Sequence, residues 1–283
     1  MIKTVFVSDL FAEQYKGGAE LTTEALMNCS PYEVIKLNSK NVTEKLIQDY
    51  DKYLWIICNF SQLEDKIKIK ISKNLNYSII EYDYKFCNFR SIEKHKQIKN
   101  TNCDCIEKGL SGKINKIFYG HAQCIWFMSE KQKNIFINYV PTIKNKKCKV
   151  LSSVFDDGDL RFIDSIKDNE KNSKFIILNS SSWIKGTQES VEYAKNNNLD
   201  FEVVQNLPYH ELLIKLSTSK GLIFLPLGGD TCPRLVIEAK LLGCKLILNE
   251  NVQHKDEEWF LGNVENCFSY LLENKKQFWN FYE

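Results

Sequence analysis

The chain lacks the features that would mark a membrane-spanning or nucleic-acid-binding protein. No run of about 18 consecutive apolar residues occurs, so no transmembrane helix is expected; contact with a membrane surface from one side is left open. There is no excess of charge of one sign. Thirty-eight basic side chains face 36 acidic ones, a formal net charge of +2, and nucleic acid is not expected as a partner. The opening MIKTVFVSDLF is too short in its apolar part for a secretory signal and reads as a first buried strand. With no such signal, the ten scattered cysteines point to the reducing cytoplasm, most of them as small core hydrophobes. Internal repeats and low-complexity linkers are absent too.

What is present is the composition of a globular protein, 43% hydrophobic and 26% charged, in 283 residues, enough for one large or two ordinary domains. Short apolar runs alternate with helical patterns, which predicts an α/β protein with parallel sheets and crossover helices. Strands are expected at residues 4–7, 33–37, 54–58, 77–81, 124–128, 148–151, 175–178, 201–204, 222–224 and 246–248. Helices are expected at 18–28, 43–50, 62–73, 130–139, 187–196, 209–217 and 234–242, and a packed helical ending at the aromatic-rich tail. In 62–73, Leu63, Ile67 and Ile71 recur four apart among lysines, the pattern of a helix with one apolar face. Residues 83–120 read as irregular, and Asp156-Asp157-Gly158-Asp159 as an exposed turn. The boundary between two doubly wound domains falls near 152–160, dividing the chain into residues 1–153 and 154–283. Such sheets bind ligands outside the carboxyl ends of their strands.

The most informative stretch runs Leu225-Pro226-Leu227-Gly228-Gly229-Asp230-Thr231-Cys232-Pro233-Arg234-Leu235-Val236-Ile237-Glu238-Ala239 and closes on Gly243. A buried strand ends in a Pro/Gly loop, and a helix opens near Pro233, a residue suited to a first helical turn. Unpaired N–H groups and the helix dipole make such a turn an anion site. This stretch resembles the retaining glycosyltransferases of the GT-B fold (glycosyl transferases group 1, family 4-like), whose hallmark is Glu, seven residues, then Glu, often as E-G-x-P-R-x-x-x-E-A-x-x-x-G. The Pro233-Arg234 pair, Glu238-Ala239 and Gly243 match in register; Asp230 stands for the first Glu and Thr231 for the glycine after it.

The resemblance extends to two further places. Lys185-Gly186 follows the strand at 175–178 and matches the family's Lys-Gly, whereas Ser180, Ser181 and Ser182 stand where the family has its Arg. Lys16-Gly17-Gly18-Ala19-Glu20 follows the first strand and matches a Gly-Gly-x-Glu loop. Where many relatives carry His-Asp at an N-domain strand end, this chain has Glu81-Tyr82-Asp83-Tyr84; His121 is a distant substitute for the missing His.

The resemblance implies two facing Rossmann-like domains, the first on the acceptor side and the second holding a nucleotide-sugar donor. It implies glycosyl transfer to a glycan or other hydroxyl acceptor, as in polysaccharide or glycan biosynthesis, with retention and without a required cofactor or catalytic metal. An inactive nucleotide-sugar-binding protein is the alternative. Catalytic roles fall on Asp230, Lys185 and Asp83. Donor contacts fall on Gly17, Gly18, Glu20, Lys185, Thr231, Cys232, Pro233, Arg234, Leu235 and Glu238: Glu238 on the ribose, Asp230 on the sugar, and the backbone of 231–235 on the diphosphate. Separately, Cys87, His95, Cys103 and Cys105 carry the side-chain types that hold zinc, at a spacing that is not a standard zinc pattern; free buried thiols or a structural zinc stapling a long loop are both readings of it.

Overall fold

The computed structural model describes residues 3–283. The chain forms two compact units, Met1–Val154 with Asn274–Glu283, and Phe155–Glu273.

The first unit holds β1 (Lys3–Ser8), β2 (Glu33–Asn38), β3 (Leu54–Ile57), β4 (Tyr77–Glu81), β5 (Cys124–Phe127) and β6 (Lys147–Val150). They form one sheet in the order β2-β1-β3-β4-β5-β6, with every pairing parallel. The central strands are apolar on both faces because helices cover both: Val5, Phe6, Val7, Trp55, Ile56 and Ile57 are all fully buried. The edge strand β2 instead carries exposed Glu33 and Lys36. The helices of this unit are α1 (Gly18–Asn28), α2 (Glu44–Asp49), α3 (Asp65–Asn74), α4 (Ile92–Lys99), α5 (Gly109–His121) and α6 (Glu130–Tyr139).

The second unit holds β7 (Phe175–Leu178), β8 (Phe201–Val204), β9 (Gly221–Phe224) and β10 (Lys245–Leu248), all parallel in the order β10-β9-β7-β8. Its helices are α7 (Asp157–Ile166), α8 (Thr187–Asn196), α9 (Tyr209–Ser217), α10 (Arg234–Leu241) and α11 (Glu258–Leu261). The last helix, α12 (Val264–Asn280), starts in this unit and ends in the first.

All ten expected strands form, within one residue at each end. Four expectations need correction. Residues 83–120 are not irregular: they contain α4 and α5. Ser91 caps α4 by accepting the Lys94 N–H at 3.2 Å, and Asn100 closes it in the left-handed region at φ 53°. The apolar spacing Leu110, Ile114, Ile117, Phe118 is the helical signal in α5. Asp156–Asp159 is not a free turn but the start of α7, with the Asp156 carboxylate accepting the Gly158 N–H at 2.8 Å. The helix expected at 62–73 opens only at Asp65. Last, residues 274–283 do not belong to the second domain. Trp279 donates to the Leu26 carbonyl at 3.1 Å and Trp126 to the Tyr282 hydroxyl at 3.0 Å, and Trp279 packs edge-on against Phe6 at 6.1 Å.

Among the described residues no helix is long and apolar enough to cross a membrane.

His254, in the second unit, is fully buried, stacks on Trp259 at 5.6 Å and among the described residues has no hydrogen-bond partner for either ring nitrogen. Burial pushes its pKa down to about 3, so the fold accepts only the neutral ring. The unfolded chain takes up this proton near pH 6.5. Stability from this site is therefore complete above about pH 6.5 and falls as the pH drops toward 3, by roughly 2 kcal/mol at pH 5. Denaturation of wild type and His254→Leu at pH 7.5 and pH 5 is expected to show the difference between them moving by that amount in favour of the variant. A difference that does not change with pH would mean that His254 does not titrate on unfolding.

Candidate functional site

In parallel sheets the loops after each strand leave from one end of the sheet. In the second unit this places the loops after β7 and β9 side by side. Gly186 has φ +60°, and a Cβ there would lie 1.9 Å from the Leu225 carbonyl oxygen, so the two loops can approach only with glycine at this point. The Leu227 N–H donates to the Ile184 carbonyl at 3.0 Å and locks them together. Next to this contact Lys185 Nζ meets Asp230 Oδ2 at 2.7 Å, across 45 residues of chain. Asp230 is itself held by backbone, donating its N–H to the Asn251 carbonyl at 2.8 Å and accepting the Gln253 N–H at 3.0 Å. Lys185 remains about a third exposed, whereas the Asp230 side chain is 12% exposed. The pair thus presents its cation outward from a fixed carboxylate.

Thr231, Cys232, Pro233 and Leu235 follow as a buried segment, and α10 opens at Arg234, as expected, with Pro233 as its N-cap. Arg234 does not point at solvent. Its guanidinium lies 3.9 Å from the Phe155 ring centre, reaches Asp159 Oδ2 at 3.4 Å and the Tyr209 hydroxyl at 3.3 Å, and its Nε stands 3.5 Å from Glu238 Oε1. Glu238 is 2% exposed, and its Oε1 also accepts the Tyr209 O–H at 2.9 Å. Both protein contacts of Glu238 thus fall on Oε1. Burial raises the pKa of Glu238, with Arg234 and Tyr209 opposing it; burial likewise raises that of Asp159, again against Arg234. Sequence reasoning had no signal for Tyr209 or Phe155, and took Asp159 for part of a turn.

In the first unit, Gly17 is the N-cap of α1 and Gly18 its first residue. Glu20 is buried, and its Oε1 accepts from Asn59 Nδ2 at 3.2 Å. Asn59 Oδ1 accepts from Arg90 at 3.3 Å, and Arg90 Nε donates to Asp83 Oδ2 at 2.6 Å. Glu20 and Asp83, expected in one site from separate motifs, are therefore joined through two residues that neither motif contains. Lys85 completes the cluster, at 3.2 Å from Asp83 Oδ1 and 2.9 Å from Glu81 Oε1. Burial works to raise the pKa of Asp83, but the Lys85 and Arg90 cations overcome it and hold the carboxyl below its usual range. For Glu20, burial wins and the pKa is raised. The spacing Glu81-x-Asp83-x-Lys85, alternating along the chain past β4, was the available signal for Lys85. His121 stands apart from this cluster at the exposed end of α5.

No protein-family model matches the chain, and no curated protein does. Solved structures resemble it over nearly its whole length. It is similar to a UDP-forming α,α-trehalose-phosphate synthase from Burkholderia xenovorans, at a TM-score of 0.58 and 8% identity, covering 98% of this chain and 91% of that one. It is similar to the trehalose-6-phosphate synthase OtsA, at 0.55 and 8%, covering 98% and 97%. It is also similar to Anabaena HepE in complex with UDP and glucose, at 0.52 and 12%, covering 97% and 92%. At these identities the likeness is one of architecture. Two Rossmann-like units of parallel strands, the last helix returning to the first unit, give this chain the GT-B fold that these proteins share.

Proposed function

We propose that the protein is a glycosyltransferase that moves a sugar from a nucleotide-sugar to an acceptor hydroxyl with retention. The observation that carries this reading is the Lys185–Asp230 pair at 2.7 Å, set by the Gly186 contact at the strand ends, with Glu238 one helix away. The solved structures of the same fold include one holding UDP and glucose. Lys185 neutralises the diphosphate as the bond from the anomeric carbon to its phosphate oxygen breaks. The acceptor oxygen bonds to that carbon on the same face, and its proton passes to the departing phosphate oxygen. Asp230 orients the sugar hydroxyls, and Glu238 receives a ribose hydroxyl on Oε2, the oxygen its protein partners do not use. Asp83 serves the acceptor side, and Glu20, joined to it through Asn59 and Arg90, stays with the donor contacts.

No metal is assigned to this chemistry. Asp157 and Asp159 have the spacing of a cation-binding pair, but Asp159 is engaged by Arg234 and the segment is occupied in starting α7. Activity is expected to survive the immediate addition of excess chelator. A prompt loss restored by magnesium or manganese would reassign Asp157 and Asp159.

The direct test is a panel of nucleotide-sugars screened by thermal unfolding, since a ligand of the native state raises its stability, followed by assay of transfer and donor hydrolysis. One donor is expected to bind and turn over. Binding without turnover would favour an inactive nucleotide-sugar-binding protein, and no binding at all would sink the reading. Glu238→Gln, which keeps the shape and an acceptor for Tyr209, is expected to weaken the donor by about 1.5–3 kcal/mol, roughly 10- to 150-fold. Calorimetric titration of the folded variant reads this directly, and an unchanged affinity would remove Glu238 from the donor site.

A further inference from the structure

We propose that Cys87, His95, Cys103 and Cys105 form a closed four-ligand zinc site that anchors the segment from Asp83 to Lys108 to the first unit. One ligand atom from each residue lies within 4.8 Å of all the others. His95 Nδ1 stands 3.4 Å from Cys105 Sγ and 3.8 Å from Cys87 Sγ. A tetrahedral zinc with ordinary bonds to sulfur and nitrogen separates its ligand atoms by about 3.5–3.8 Å, and the two separations between His95 and sulfur are already close to that. Four protein ligands leave no open position, which is the pattern of a structural rather than a catalytic zinc.

The local energetics call for an anchor of this kind. Helix α4 has eight residues, IEKHKQIK, and its one buried residue is His95. A helix this short is not stable by itself, and its apolar contact with the core is limited to the half-buried Ile92. The residue that enters the interior is instead a polar ring surrounded by sulfur, which gains little from burial unless it binds something. On the opposite side α5 presses against the site. At Gly112 a Cβ would fall 2.5 Å from the Cys105 carbonyl oxygen, so this helix can pack on the loop only through glycine. Three thiolates and one imidazole around a zinc ion carry a net charge of −1, and Lys99 lines the same cleft as His95 and Cys105.

The site is remote in chemistry from the glycosyl transfer reading and does not rest on it. Its consequence reaches that reading all the same, because the anchored segment carries Asp83, Lys85 and Arg90. The metal adds a fixed point on α4, which lies along the chain between the core residues Phe86 and Ile106.

The test begins with the untagged full-length protein purified under reducing conditions. Plasma mass spectrometry is expected to find one zinc per chain, and titration with a mercurial to release it. Exchange for cobalt should give the visible absorption of a tetrahedral thiolate site. Cys105→Ser is expected to lower zinc affinity at least tenfold and reduce the melting temperature of the first unit, whereas His95→Cys should still bind one metal. If Cys105→Ser fails to fold, the metal content and cobalt spectrum of the wild type decide alone. A folded protein with less than about a tenth of an equivalent of metal, its thiols free or Cys87 and Cys103 recovered as a disulfide, would overturn the proposal.

Discussion

Replacing Lys85 by Met is expected to destabilise the first unit by about 3–5 kcal/mol, because it leaves a buried carboxylate without its cation. The Glu81 side chain is wholly buried and that of Lys85 is 2% exposed. Their ion pair at 2.9 Å is completed by the Tyr119 hydroxyl, which donates to Glu81 Oε2 at 2.6 Å. Burial already raises the pKa of Glu81, and Lys85 is the principal opposing influence. Without that cation the carboxyl becomes easier still to protonate in the fold. The deficit of the variant is therefore largest at neutral pH and shrinks as the pH falls, since a raised native pKa favours the folded form in acid. Adding Glu81→Gln to Lys85→Met should recover most of the loss, because a neutral amide does not require a cation. Chemical denaturation of the four proteins of this cycle measures the coupling. A loss below about 1 kcal/mol for Lys85→Met would show that water reaches Glu81 and that the pair is not sealed.

Lys185→Ala is expected to act on turnover and hardly on stability. Lys185 is partly exposed, and an ion pair of this kind contributes about 0–1 kcal/mol to folding. In the proposed reaction its charge faces a diphosphate whose negative charge grows as the glycosidic bond breaks. Loss of one such group costs about 10²–10³ in kcat, with donor affinity much less changed. Steady-state kinetics at saturating donor, beside a calorimetric affinity for the unreacted donor, separates the two effects. A Lys185→Ala enzyme with full kcat and weakened donor binding would make Lys185 a binding residue only. Asp230→Asn is informative beside it: the amide keeps the size of the side chain but removes the charge that holds Lys185 in place.

The strand plan was legible because parallel strands covered on both faces are short, unbroken apolar runs, and FIIL in β7 or LWII in β3 stands out against any neighbouring helix. The motif positions followed from it, since Lys185-Gly186 and Asp230 sit just past such runs. In two helices composition conceals the helical signal. The polar residues of α4 concealed the Ser91 cap and the Asn100 stop, and the acidic residues before α7 looked like a turn when they were completing a helix N-terminus.

By itself the sequence determined which segments are strands, from short unbroken apolar runs, and that the sheets are parallel with their loops gathered at the strand ends, from the alternation of those runs with helical patterns. Only the tertiary structure decided which polar groups meet. Arg234 turns inward to Asp159 across 75 residues, Arg90 joins Asn59 to Asp83, and Trp279 draws the last ten residues onto the first unit. The four zinc-type side chains are drawn together in the same way, at spacings no metal motif records. The physical reason is one of range. Backbone propensity and burial act on neighbours in sequence, whereas a charge or a sulfur takes its partner from whatever the packed helices bring within about 4 Å.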